Sequence, residues 1–345
     1  MRTYQDLQTG YVVRILTEGA RHTKPYFDTE STTPDDECVI ATESSQDKQK
    51  LWLVNVDSGD RDLLIELNPH DRFCAPLNVS HAWVFLNKTK TINRINLTNG
   101  TLDEVANVSF CRSSTSGHTE FKNGILAASY HHDRAYYVLA VTDTKSGQSE
   151  IIHRTDQLTT HTQACPGDNE NLLHVNETGG DALQRMWMFN VRENIDRPYF
   201  IEKLDDWVTH ECWTRSGNQV LFCKLNVLTG RSKKPDEIWY GDKDGQSFRC
   251  VGKGNYHHGA PDVTERWIVA DDARTGTITL LDTQTGKNHL LATGLRIREQ
   301  IGAEHAHPSF NRKGDMVLFT ISRPEEDVQV GAIDLHQVPI WSKSL

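Results

Sequence analysis

Short apolar runs recur along this chain. Each is closed by a polar turn ending in glycine and followed by a second apolar run. Leu51-Trp-Leu-Val-Asn-Val-Asp-Ser-Gly59 leads into Leu63-Leu-Ile, and Thr91-Ile-Asn-Arg-Ile-Asn-Leu-Thr-Asn-Gly100 leads into Leu102-Asp-Glu-Val. Tyr137-Val-Leu-Ala-Val runs to Gly147 and then Ile151-Ile. Ile238-Trp-Tyr runs to Gly245 and then Phe248-Arg-Cys, and Ile278-Thr-Leu-Leu-Asp to Gly286 and then Leu290-Leu. Each predicts a β-hairpin, with glycine supplying the positive φ its turn requires. No sustained 3.6-residue periodicity accompanies them, so a solenoid of helix pairs is not expected.

A second marker precedes the hairpins. His22, His70, His118, His161, His210, His258 and His307 follow one another at intervals of 48, 48, 43, 49, 48 and 49 residues. His210 and His307 are each followed by a turn glycine, Gly217 and Gly314, and then by a strand. Units of this length, each with room for four short strands, predict an all-β, seven-bladed β-propeller with four-stranded antiparallel blades in a single domain over 1–345. The last unit shows three clear strands, Ala306–Phe310, Asp315–Ile321 and Gln329–Leu335. The N-terminal Tyr11-Val-Val-Arg-Ile-Leu has no hairpin partner of its own. It is expected to supply the outer strand of the last blade, closing the ring and removing an exposed edge.

Composition narrows the class. Of 345 residues, 37% are hydrophobic and 24% charged, a polar globular balance. No stretch approaches the roughly 18 apolar residues of a spanning helix, so no membrane partner is expected. The opening Met-Arg-Thr-Tyr-Gln-Asp has no apolar core, so no secretory signal is expected, and the five N-x-S/T sequons read as polar turns. A net charge of −10 argues against nucleic acid as a partner. Seven cysteines, an odd number without a CxxC pair, read as reduced thiols of a cytoplasmic protein. Oligomeric state is not legible.

The chemistry gathers in the histidines. The marker histidines stand at the start of the innermost strand of each predicted blade, the strand that lines a propeller's channel. Glu304-His305-Ala306-His307-Pro308 carries an additional one. Residues i and i+2 of a strand project to one face, so His305 and His307 could grip one ion, with His258 of the preceding blade as a third imidazole. Three imidazoles with open positions suit a catalytic Mn, Fe, Ni, Cu or Zn site. His210 shares the same register. Arg185 fits either a structural ion pair or a role beside His210.

These motifs carry a resemblance. Gly10-Tyr-Val-Val-Arg-Ile-Leu-Thr-Glu-Gly-Ala-Arg-His22, His22-Thr-Lys-Pro-Tyr-Phe27, Thr33-Pro-Asp-Asp36, Arg185-Met-Trp187, Thr209-His210-Glu211 and His305-Ala-His307-Pro-Ser-Phe310 resemble the oligogalacturonate lyases, over nearly the whole chain. The 25-residue interval from Arg185 to His210 agrees with that family's pattern. The resemblance implies a seven-bladed propeller holding Mn²⁺ on His258, His305, His307 and Gln300, with His210 as base and Arg185 beside it. It implies a lyase of pectin degradation acting on a small anionic oligosaccharide. The base takes the C5 proton of a 4-linked uronate, the glycosidic oxygen leaves from C4, and a 4,5-unsaturated uronate results. His22, Lys24, Tyr26, His118, His161 and His174, with Arg112, are its candidate substrate contacts.

One departure stands out. The family motif reads Gln-x-x-His-x-His, whereas Gln300 lies five residues before His305 and Gly302 occupies the expected position. Either Gln300 reaches the ion across a bulge, or Glu304 or water replaces it. Three alternatives stand beside the oligogalacturonate reading: a lyase on another uronate, a non-catalytic scaffold, and a cap for a hydrolase.

Overall fold

A computed structural model describes residues 1–134, 136–177, 182–203, 206–225, 235–297, 300 and 304–341. The described strands form seven antiparallel sheets, and the fold class is the all-β, seven-bladed β-propeller. Among the described residues the one helical element is a 3₁₀ turn, Leu335–Gln337. Among the described residues no helix is long and apolar enough to cross a membrane. The chain divides into two compact units, Met1–Pro69 with Pro235–Trp239 and Cys250–Leu345, and His70–Lys234 with Tyr240–Arg249.

In the first unit, one sheet runs His22–Thr23, Cys38–Ser44, Gln49–Asn55, Arg61–Leu67, and a second runs Gly259–Pro261, Trp267–Asp272, Thr277–Asp282, Lys287–Ala292. The third is closed by the N-terminus. Ser309–Phe310, Met316–Ile321 and Gln329–Asp334 are joined by Val12–Ile15, with Arg14 opposite Ala332 and Ile15 opposite Gly331. The expected closing strand is therefore in place. It does have a hairpin partner, however, because Arg2–Gln5 pairs with it as a fifth, outermost strand. The turn between them is held by Asp6, whose carboxylate accepts the Gln8 and Thr9 N–H groups at 3.0 and 2.9 Å. That partner was hard to read because Arg-Thr-Tyr-Gln is polar and mostly exposed. Leu16, Val39, Ala41, Val54, Leu318, Val330 and Ala332 pack into one cluster between the first and last sheets. Truncating one of its leucines would cost about 2–5 kcal/mol.

In the second unit, one sheet runs Arg72–Cys74, Ala82–Leu86, Thr91–Ile95, Leu102–Asn107. The next begins with two short strands, Ser113–Ser114 and Thr119–Glu120, which both pair with Ile125–His131, followed by Tyr137–Asp143 and Ser149–Thr155. The third runs Thr159–Ala164, Asn171–Asn176, Met186–Asn190, Ile195–Pro198. A seventh sheet, which the division into units does not respect, runs Trp207–Trp213, Gln219–Leu225, Asp236–Asp242, Phe248–Gly254. Its first turn requires Gly217. At φ +71° a Cβ there would lie 2.4 Å from the Gly167 nitrogen. None of the seven cysteines is in a disulfide.

Candidate functional site

Three marker histidines share an uncommon backbone. His161, His210 and His307 have φ of +47°, +56° and +44°. The left-handed region is costly for a residue with a Cβ. In the Thr159–Ala164 and Trp207–Trp213 strands the histidine falls inside a register shift, between Thr160 and Gln163 and between Thr209 and Cys212. A bulge re-aims the side chain it carries, so the repeat spends strain at one position to turn an imidazole out of the pleat.

In the first unit, one nitrogen from each of His258, His305 and His307 lies within 4.8 Å of the others. Ring centroids are 4.3 Å apart for His258 and His307, 5.2 Å for His258 and His305, and 5.6 Å for His305 and His307. His305 and His307 reach this point from irregular chain rather than from a pleated strand, the positive φ of His307 replacing strand alternation. Asp271 braces the cluster. Its carboxylate accepts the His258 backbone N–H at 2.8 Å and faces His258 Nδ1 at 3.0 Å. With Nδ1–H donated to the carboxylate, His258 presents a bare Nε2, as second-shell carboxylates do for metal-binding imidazoles. His257 packs edge-on at 4.3 Å from His258 and 4.7 Å from His305. Burial, followed by the nearby charge of His258, holds His307 well below the usual histidine value and keeps it neutral. A His307 held neutral, a carboxylate-braced His258 and mutual reach suit a divalent ion of the Mn–Zn series, so the donor set fits one.

Lys24 and Tyr26 stand beside this cluster. Lys24 is buried, and its Nζ donates to the carbonyls of Pro25 and His307, both at 2.7 Å. Burial pulls its ammonium down to about 7. The Tyr26 ring lies 4.6 Å from His307. His22 does not join them. It is fully buried, with Nδ1 at 2.7 Å from the Ala20 carbonyl and Nε2 at 3.4 Å from Arg61. Gln300 is exposed, and its side-chain carbonyl accepts the Ile297 N–H at 2.9 Å, so it caps its own turn. Gly302 lies outside the described residues. Glu304 pairs with Arg21.

In the second unit, Arg185 is buried and donates to Glu177 at 2.9 Å, with its Nε 3.6 Å from Glu211. Glu211 is fully buried. His161 lies 3.8 Å from both carboxylates. His210 precedes Glu211 on the bulged strand. Glu202 accepts the Arg185 backbone N–H at 2.5 Å, and burial pushes its carboxyl up to about 7. His118 is a core residue. It is buried, stacked on Phe85 and 2.7 Å from the Tyr130 hydroxyl, and burial drives it down to about 3. His174 is buried against Asp196 at 3.0 Å. The Arg112 backbone pairs with His131.

Sequence reasoning missed Asp271, Glu211, Glu177 and Glu202. Two carried a signal. Asp271 lies in the apolar Trp267–Asp272 strand that follows His258, and Glu211 lies inside Thr209-His210-Glu211.

The chain shares its fold with an oligogalacturonate lyase in complex with manganese, at a TM-score of 0.83 and 17% identity over 96% of this chain and 95% of that one. An oligogalacturonate lyase from Vibrio parahaemolyticus gives a TM-score of 0.84 at 17% identity, over 97% and 96%. A puromycin hydrolase is similar at a TM-score of 0.64 and 8% identity, over 93% of this chain and 53% of that one. At these identities the likeness is one of fold. No protein-family model matches the chain, and no curated protein matches it.

Proposed function

We propose that this protein is a lyase that cleaves short oligogalacturonides by metal-assisted β-elimination. The observation that carries the reading is the trio His258, His305 and His307, braced by Asp271, in a fold shared end to end with an oligogalacturonate lyase in complex with manganese. His258, His305 and His307 would hold the divalent ion, for which Mn²⁺ is the choice. When bound, it would supply a Lewis acid for the uronate carboxylate, whose charge grows as the C5 proton leaves.

The chain's own residues do the rest. His210 takes the C5 proton as general base, a step that needs an imidazole neutral near pH 7. Arg185 offers a cation that cannot lose its charge. Its partner Glu177 has a side chain 28% exposed, whereas Glu211 has none, so an incoming uronate carboxylate displaces Glu177 while Glu211 keeps the guanidinium in place. Tyr26 presents a ring face beside His307 against which a sugar stacks. The elimination needs no activated water or covalent nucleophile.

A lyase acting on a different uronate is favoured by one observation, the occupation of Gln300 in its own turn. Pectic, alginate and glucuronan dimers and trimers, followed by the ultraviolet absorbance of the unsaturated product with Mn²⁺ present, test both readings. A rise with digalacturonate that a chelator abolishes supports the first. A rise confined to another uronate moves the substrate. No rise with any of them contradicts the lyase reading.

A further inference from the structure

One buried charge beside the ion site has no part in the elimination described above. Lys24 is 4% exposed, and its Nζ donates to the carbonyls of Pro25 and His307, both at 2.7 Å. Burying an ammonium is costly unless hydrogen bonds offset the lost water. We infer that Lys24 is a positioning residue, which fixes the backbone of His307 and so aims that imidazole into the ion site. The inference rests on the proposed use of His258, His305 and His307 as ligands.

His307 needs such a hold. Its φ of +44° lies in the left-handed region, which is costly for a residue with a Cβ. Pro308 follows it, and a residue before proline is pushed toward extended backbone. The observed conformation runs against both preferences. Residues 304–308 lie outside any strand, so no sheet ladder imposes it. A backbone of this kind persists only where its surroundings over-determine it.

The surroundings form a closed circuit. The Thr320 backbone N–H donates to the Ala306 carbonyl at 2.8 Å, and the Thr320 hydroxyl accepts the Lys24 backbone N–H at 3.3 Å. The Lys24 Nζ completes the circuit at the next carbonyl, that of His307. Two consecutive carbonyls are thus held from two sides, by the Met316–Ile321 strand and by the lysine. The same nitrogen pins the segment that packs the imidazole, since the Pro25 carbonyl leads directly into Tyr26. Tyr26 lies 4.6 Å and Phe27 6.3 Å from the His307 ring, and Phe27 lies 5.4 Å from that of His258. With Nζ engaged on two backbone carbonyls and almost no exposure, Lys24 acts through His307 rather than on a uronate.

The test is Lys24→Met, which keeps the apolar stem and removes the donors, in the chelator-stripped full chain. Mn²⁺ affinity by calorimetry is expected to fall about 10–100-fold, the range for loss of a group that orients a ligand. The visible spectrum of bound Co²⁺ should change shape, and KM for digalacturonate at saturating Mn²⁺ should not move. In the metal-free protein the His307 imidazole NMR resonances should shift, while those of His118, a core residue of the second unit, should not. Lys24→Gln, which keeps a donor on a shorter stem, should give the same changes at smaller size and replaces Lys24→Met if that variant folds poorly. Where wild type binds the ion, unchanged affinity in the variant overturns the inference, and a raised KM beside it makes Lys24 a substrate contact. Where wild type binds no ion, the proposed function fails instead, and unmoved His307 resonances overturn the inference by themselves.

Discussion

At His258, His305 and His307, three imidazoles gather beside one carboxylate, Asp271. Around Arg185 the proportions are reversed. One guanidinium stands with Glu177 and Glu211, and His161 is 3.8 Å from both carboxylates. The first region is built from imidazoles and one carboxylate, with the Lys24 ammonium held on the His307 carbonyl. The second already contains its cation and balances it. Buried charge explains the difference. A neutral imidazole is desolvated at little cost, whereas a buried arginine must be paired at all times. Under the proposed function this becomes a division of labour, with ion binding in one region and proton and carboxylate handling in the other.

The largest effects should separate the two regions. His307→Ala removes both metal uptake and turnover. His210→Ala keeps metal uptake and lowers turnover by about 10²–10⁴-fold, the range of a lost general base. Turnover with purified oligogalacturonide and metal analysis of the dialysed proteins check this pair.

Stability sharpens the contrast next. Arg185→Ala strands the fully buried Glu211 and should destabilise the fold by about 3–5 kcal/mol, read by urea denaturation. Removing one imidazole of the trio strands no charge, so His305→Ala should cost far less.

Asp271→Asn is smaller again. It keeps an acceptor for the His258 N–H but weakens the tautomer lock, and metal affinity should fall about 10–100-fold by calorimetry without loss of fold.

The smallest effect is one of pH. Glu202 has a folded-state value of about 7 against an ordinary 4.5, chiefly through burial. The folded protein therefore holds a proton that the unfolded chain releases. Its contribution is complete below about 4.5 and fades as pH rises to 7. Glu202→Gln should flatten that decline in melting temperature between pH 4.5 and 7. An unchanged slope would assign the decline to other groups.

Much of the fold was legible because propeller blades repeat. Hairpin turns need glycine at positive φ, and the histidine interval marked the units. The outermost Arg2–Gln5 strand was not, since an edge strand with polar residues on both faces leaves no periodicity. Within the candidate site, the trio His258, His305 and His307 could be read because its members share a repeat position or lie two residues apart. Asp271, Glu177 and Glu202 could not, because their partners lie 8 to 17 residues away along the chain and only sheet pairing brings them together. His118 and His174 show the converse. Each has a plausible place in the chain, but His118 is held in the core against Tyr130 and His174 against Asp196.

The central claim is that the ion and the proton are handled by different residues. Metal content and turnover measured side by side on wild type and His210→Ala test it most directly. The account predicts wild-type metal content with turnover reduced to background. Turnover that survives the loss of His210, or metal that leaves with it, would contradict the division.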